Sequence, residues 1–232
     1  RKHIFIKMKL IHVFSLFITA ESFYDGQFKY LTDHGYEIVV VSTDSENAKT
    51  FCKRNGVRFV PVKIPRKVSP IAIAKAVMKL CSLIRRENAD AVLGHTPVGA
   101  LCAMIAARIC GVSNRVYFRH GVIYTTMSGV RRMIFKKEEQ FVASLATNVI
   151  NDSHSLSELA IADKLNNTNK QYVIGHGTCG GIDAHCIFNP EPCSMFCKSR
   201  LSCNSFRKQL GSVFNCCLSR CSFSKNRNYC RT

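Results

Sequence analysis

Three short stretches of the chain hold the residue types that do chemistry at a ligand. Arg119-His120-Gly121 joins a cation and a titratable imidazole to a flexible joint. His95-Thr96-Pro97 sets a second imidazole and a hydroxyl ahead of a helix-starting proline, and Asn151-Asp152-Ser153 offers a carboxylate and a hydroxyl. Histidine is the side chain whose unperturbed charge changes near neutral pH, so His120 and His95 are candidate titratable groups at a ligand. Arg119, Gly121, His95, Thr96 and Ser153 are candidate substrate contacts. Polar groups beside helix amino termini favour anions, so a phosphorylated or carboxylate ligand is the expected class. Each stretch also has a plainer reading. Arg119 and His120 fit a solvated polar loop, Asp152-Ser153 fits a helix cap, and His95 fits a cap or a core filler.

The elements that must position these groups follow from hydrophobic periodicity. Residues 115–118 (RVYF) alternate in strand fashion. Residues 36–42 (YEIVVVS) form the near-continuous β-branched run of a parallel strand covered on both faces. Further strands are expected at 2–13, 57–60, 89–94, 146–150 and 171–174, with a loop after the first. Helices are expected at 24–34, 44–55, 70–88, 97–110, 128–145 and 153–164, with Gly35, Asn55-Gly56 and Gly111 as stops. Strands separated by helices along the whole chain imply an α/β fold: a Rossmann-like, mainly parallel sheet with helices on both faces. Ligands bind at the carboxyl edge of such a sheet, and all three polar stretches follow strands.

Composition narrows the partners. The 232 residues carry a formal charge of +18 at pH 7, spread over helix faces with peaks at 131–137 and toward the end. Nucleic-acid binders gather such charge into basic runs interleaved with aromatics, so no nucleic acid is expected. A surface meeting anionic lipid or phosphorylated substrates is. No run approaches the roughly 20 apolar residues of a membrane span. The apolar-rich stretch 3–17 is interrupted by Lys7, Lys9 and His12 and reads as a buried first strand. The expected location is therefore cytoplasmic, with peripheral contact at the inner membrane face. There is no G-x-x-x-x-G-K-[ST] and no G-x-G-x-x-G after the first strand, which disfavours a P-loop enzyme or a standard dinucleotide binder. Of the 13 cysteines, Cys52, Cys81, Cys102 and Cys110 fall in helix-like patterns and nine lie between Cys179 and Cys230. Their spacings form no pair of zinc knuckles, so neither a metal nor another cofactor is expected.

A run of short motifs in order resembles the amino-terminal domain of family 4 glycosyltransferases, particularly the bacterial members that build capsular and surface polysaccharides. The motifs are Gly26-Gln27-Phe28-Lys29-Tyr30-Leu31, Gly35-Tyr36-Glu37-Ile38-Val39-Val40-Val41-Ser42, His95-Thr96-Pro97, Arg119-His120-Gly121 and Ser153-His154-Ser155. The last is Gly175-His176-Gly177-Thr178-Cys179-Gly180-Gly181-Ile182-Asp183. The resemblance implies the amino-terminal half of a GT-B fold, in which two Rossmann-like domains face each other across a cleft and the first binds mainly the acceptor. It implies retaining transfer from a nucleotide-diphosphate sugar, of UDP type, to a lipid-linked or saccharide acceptor. It places His120 near the point of transfer as the candidate catalytic group, has Arg119 and Gly121 shape the same loop, and sets His95 and Thr96 at the border of the acceptor cleft. Gly177, Thr178 and Asp183 match the family's hinge. One departure is that residues 16–22 contain no glycine where many members have a glycine-rich turn.

The expected organisation is a glycosyltransferase amino-terminal domain at 1–185, followed by a Cys-rich basic tail at 186–232. That tail is too short for the family's donor-binding half. A truncated or frameshifted remnant and a genuine short tail are both compatible with it. Two classes of function remain open at this point. One is an incomplete sugar transferase, inactive alone. The other is a non-catalytic acceptor- or membrane-binding half that needs a partner chain, or a pseudogene fragment.

Overall fold

Every residue from Ile38 to Val41 is buried, so the strand β2 (Glu37–Ser42) needs cover on both faces. The computed structural model describes residues 8–66, 69–174 and 177 and supplies that cover. The remaining strands are β1 (Lys9–Phe14), β3 (Arg58–Pro61), β4 (Ala91–His95), β5 (Asn114–Arg119), β6 (Asn148–Asn151) and β7 (Gln171–Val173). They form one seven-stranded sheet in the order β3-β2-β1-β4-β5-β6-β7, with every pairing parallel. The helices are α1 (Ile18–Tyr24), α2 (Gln27–Asp33), α3 (Glu46–Arg54), α4 (Pro70–Glu87), α5 (Pro97–Ile109), α6 (Gly129–Leu145) and α7 (His154–Ala162). This is the Rossmann-like architecture expected from the sequence.

Alternation along each strand divides the core in two. On one face Ile11, Val13, Val39, Val92, Tyr117 and Val149 pack with residues of α4, α5 and α6 such as Leu80, Met104 and Val142. On the other, Leu10, Phe14, Val40, Leu93 and Phe118 pack with Tyr24, Phe28 and Phe51 of α1 to α3. Strand order reverses between β1 and β4, so those two strands flank the switch point of the sheet.

The region after β1 differs from the expected loop. It is a helix, α1, that buries Ala20 and Tyr24 and has no side-chain cap. Gly26, at φ +76°, separates it from α2, so the helix expected at 24–34 is one helix that starts at Gln27, while Tyr24 belongs to α1. The expected tail at 186–232 lies outside the described residues. Among the described residues no helix is long and apolar enough to cross a membrane.

Candidate functional site

The switch point itself is filled. Ser15, just after β1, donates its backbone N–H to Thr96 Oγ1 at 3.1 Å, and the two hydroxyls lie 2.6 Å apart. Gly99, in the first turn of α5, leaves no space above them. A Cβ there would come within 2.7 Å of Thr96 Oγ1 and 2.8 Å of the Ser15 nitrogen. Thr96 holds φ 63° and ψ 150°, a conformation costly for any residue but glycine, of the kind that collects at functional sites. Its hydroxyl stitches β1 to β4, so it does not stand free at a cleft border.

The polar groups that reach a more open edge lie one and two strands further on, beyond β5 and β6. His120 follows β5 and Asp152 follows β6, and His120 Nδ1 lies 2.8 Å from Asp152 Oδ2. Both side chains are about one-eighth exposed, at 13% each. Phe23 of α1 stacks on the imidazole at 5.0 Å and 12°, which fixes the ring plane. On its inner side His120 Nε2 lies 3.3 Å from His95 Nδ1. His95 is fully buried, held between the rings of Phe14 and Phe118 at 4.3 and 4.8 Å. It also contacts the Tyr24 hydroxyl at 3.2 Å and, through Nε2, His12 Nδ1 at 3.1 Å. Burial pushes His12 down to about 3. It also holds His95 well below the ordinary imidazole value, helped by the charges that His12 and His120 would carry. Both rings are therefore neutral at physiological pH.

Arg119 is placed quite differently. It is the last residue of β5 and is 0% exposed. Strand alternation turns it to the opposite face from His120. There its guanidinium donates to Glu139 Oε2 of α6 at 3.1 Å, Asn151 Oδ1 at 3.0 Å and Asn166 Oδ1 at 3.2 Å. Tyr117 donates its hydroxyl to the same Glu139 carboxylate at 3.0 Å. Burial raises the Glu139 carboxyl above its ordinary range, and the Arg119 charge works against that rise. Arg119 thus ties β5 to α6 and β6 within the core, and it offers nothing to a ligand at the edge.

The other sequence candidates fall as follows. Gly121 is exposed, and a Cβ there would meet nothing within 4 Å. Ser153 caps α7 by accepting from the Leu156 N–H at 3.1 Å. Gly177, at φ +100°, approaches so closely that a Cβ would come within 2.9 Å of the Asp152 carbonyl oxygen. Thr178 and Asp183 lie outside the described residues. The structure therefore brings His95, His120 and Asp152 together, leaves Thr96 and Ser153 as local fastenings, and sends Arg119 away. Asp152, Phe23, Tyr24 and His12 join the site without having been singled out as site residues from sequence. The available signal was period two on β1, which puts His12 on the same face as Phe14.

A family model described as Glycosyl transferase 4-like matches residues 11–153. The chain belongs to this family. The capsular polysaccharide biosynthesis glycosyltransferase CapM of Staphylococcus aureus is 27% identical over 157 residues, covering 68% of this chain and 40% of that protein. The UDP-Gal:alpha-D-GlcNAc-diphosphoundecaprenol alpha-1,3-galactosyltransferase of Escherichia coli is 24% identical over 152 residues, covering 65% and 39%. The chain thus spans about two-fifths of the length of these relatives. Among solved structures, a glycosyltransferase from Rickettsia africae ESF-5 superimposes with a TM-score of 0.59 at 17% identity, over 73% of this chain and 43% of that one. Anabaena Alr3699/HepE in complex with UDP-glucose gives 0.57 at 17%, over 88% and 50%. The fold is that of one half of a GT-B glycosyltransferase.

Proposed function

We propose that the chain is the acceptor-side half of a retaining glycosyltransferase. The enzyme would move a sugar from a UDP-type nucleotide-diphosphate donor to a lipid-linked or saccharide acceptor in surface polysaccharide synthesis. The observation that carries this reading is the His120–Asp152 pair, partly open at the carboxyl edge of the sheet and braced from within by His95 and Phe23. A ring held on three sides is preorganised to make a hydrogen bond to a sugar hydroxyl or to the developing charge of the transfer. The printed names of the Escherichia coli relative and the Anabaena structure, with UDP sugars and a diphosphoundecaprenol acceptor, support the donor and acceptor classes. Residues 1–185 would then form the acceptor domain, with Gly177, Thr178 and Asp183 at its joint to the donor-binding half.

In this reading the 232-residue polypeptide does not transfer sugar alone, because the grip on nucleotide and diphosphate comes from the part of the relatives' length it does not match. The test is a radiolabelled nucleotide-sugar assay with lipid-linked acceptors, on this polypeptide and on a version extended to the relatives' full length. Transfer is expected only in the extended form, and His120→Ala there should lower kcat on the order of a hundredfold. Equal activity in the two forms would refute the division of labour. An unchanged kcat in His120→Ala would return that residue to a packing role.

One surface favours a lipid partner in addition. Val130, Met133 and Ile134 are exposed along one side of α6, with Ile123 exposed just before it. Arg131, Arg132 and Lys137 are exposed around them. An apolar stripe edged by cations suits peripheral contact with an anionic inner-membrane face. Vesicles containing phosphatidylglycerol should retain the chain, and Met133→Glu with Ile134→Glu should release it. Equal retention by neutral phosphatidylcholine vesicles would remove the electrostatic part of the reading.

A further inference from the structure

The three imidazoles form a continuous line, Asp152–His120–His95–His12, with one end at the open edge and the other inside the core. The planes of successive rings are nearly parallel, 23° between His120 and His95 and 5° between His95 and His12, with centroids 5.5 and 5.2 Å apart. At contacts of 3.3 and 3.1 Å the nitrogens meet edge to edge, the geometry of N–H···N hydrogen bonds. Each neutral ring has one donor nitrogen and one acceptor, so fixing one proton in such a line fixes them all.

We propose that Asp152 sets a single tautomer through the whole line, and that the buried His95 and His12 are positioning residues for His120. This rests on the proposed role of His120 at the site of transfer. An ionised carboxylate only accepts hydrogen bonds, so His120 carries its proton on Nδ1 and donates it to Asp152. His120 Nε2 is then a lone pair, and His95 Nδ1 must donate to it. His95 Nε2 accepts in turn from His12 Nδ1–H. The line ends at His12 Nε2, a buried nitrogen with no hydrogen-bond partner, as a bare lone pair should be left. The reverse assignment would set two lone pairs against each other 3.3 Å apart between His95 and His120. It would also bury an unpaired N–H among Phe14, Tyr24 and Phe28, at a cost of about 1–3 kcal/mol. Tyr24 fits the forward assignment, since its hydroxyl oxygen can share the His95 Nδ1 proton. In that state all three N–H dipoles point toward Asp152 and reinforce one another, holding the His120 ring by its far edge.

The experiment is a long-range proton–nitrogen correlation spectrum of the full 232-residue chain with ¹⁵N-labelled histidine, at a pH where the rings are neutral. His12, His95 and His120 should each show a protonated Nδ1 and a bare Nε2. A protonated Nε2 on His95 would overturn the proposal, and that reading needs no variant. Asp152→Ala should scramble the pattern at His120 and His95, whereas Asp152→Asn, whose amide oxygen still accepts, should preserve it. An unchanged pattern at His95 in Asp152→Ala would show that something other than Asp152 sets the line, which also overturns it. No donor or acceptor is present in the spectrum. Absent transfer in the form extended to the relatives' full length, with the pattern intact, would therefore count against the proposed function alone, and a wrong pattern would count against the tautomer line alone.

Discussion

Arg119 and His120 are adjacent in the chain and lie on opposite faces of one sheet, where burial is handled in two different ways. On the Arg119 face a full charge is taken inside and paired, with Glu139, Asn151 and Asn166 each accepting from one guanidinium nitrogen. On the His120 face the buried groups are kept neutral, and only proton placement is specified. Ionic pairing at full burial makes a joint that no ligand at the edge can reach. A neutral line ending at a partly exposed pair leaves its end open at the edge. The contrast teaches that charge in the sequence is a poor guide to the site here, because the stronger charge went to the joint.

The largest expected effect breaks the ionic side. Arg119→Ala strands a buried carboxylate, and stability should fall by about 3–5 kcal/mol in urea unfolding. Pairing Arg119→Met with Glu139→Leu should recover much of that loss, since well-packed apolar residues often replace buried ion pairs at little cost. A loss under about 1 kcal/mol in Arg119→Ala would mean the network adds little, contrary to the usual cost of stranding a buried charge.

Acid sharpens the comparison, because the two faces respond with opposite sign. His12 and His95 have folded values below the ordinary 6.5. Their contribution is thus fully present above 6.5 and lost as pH falls, for His12 down to about 3. The two together set a slope of up to about 2.7 kcal/mol per pH unit below 6.5. Glu139, raised above its ordinary 4.5, contributes stability that is present at low pH and lost as pH rises through its folded value. Two imidazoles outweigh one carboxyl, so urea midpoints should drop from pH 7 to 5. His12→Phe should reduce that slope by about half, and a flat profile in the unmodified chain would contradict the neutral burial of both rings.

Smaller effects concern the glycines that frame the site. Gly99→Ala forces a Cβ against Thr96 Oγ1 and the Ser15 backbone, and should cost about 1–3 kcal/mol. Thermal unfolding beside the unmodified chain measures it, and an unchanged midpoint would mean the packed switch point yields easily. Gly121→Ala should change stability by less than about 0.5 kcal/mol, since it is exposed and meets nothing. A large loss there would restore the flexible joint that the sequence brought to mind.

What was legible in the chain was local. The Ile38–Val41 run announces a doubly covered parallel strand, and Pro97 marks the start of α5. The helix α1 was not legible, because Ile18, Thr19, Ser22 and Phe23 are weak helix formers and no side chain caps it. It forms because Ala20 and Tyr24 bury themselves against the sheet, which is a tertiary cause. The fate of Arg119 was hidden for a related reason. Its acceptors lie 20, 32 and 47 residues away, beyond any local pattern. His12 was visible only as a break in an apolar run, and its partner His95 is 83 residues distant. The Asp152-Ser153 pair was legible as a cap through Ser153, but not as the partner of His120.

The close seat of Gly177 on Asp152 has a mechanical consequence. The backbone after β7 comes back to rest on the carbonyl of the residue whose carboxylate holds His120, with room for a hydrogen and nothing larger. A displacement of the backbone at Gly177 toward the sheet would press on the Asp152 carbonyl and on Ser153 Cα, which a Cβ there would meet at 2.9 and 3.3 Å. From there the lever arm to the imidazole is a single side chain. The same contact would let the bearing of one segment be felt as a small rotation of one ring, with no rearrangement of the sheet in between.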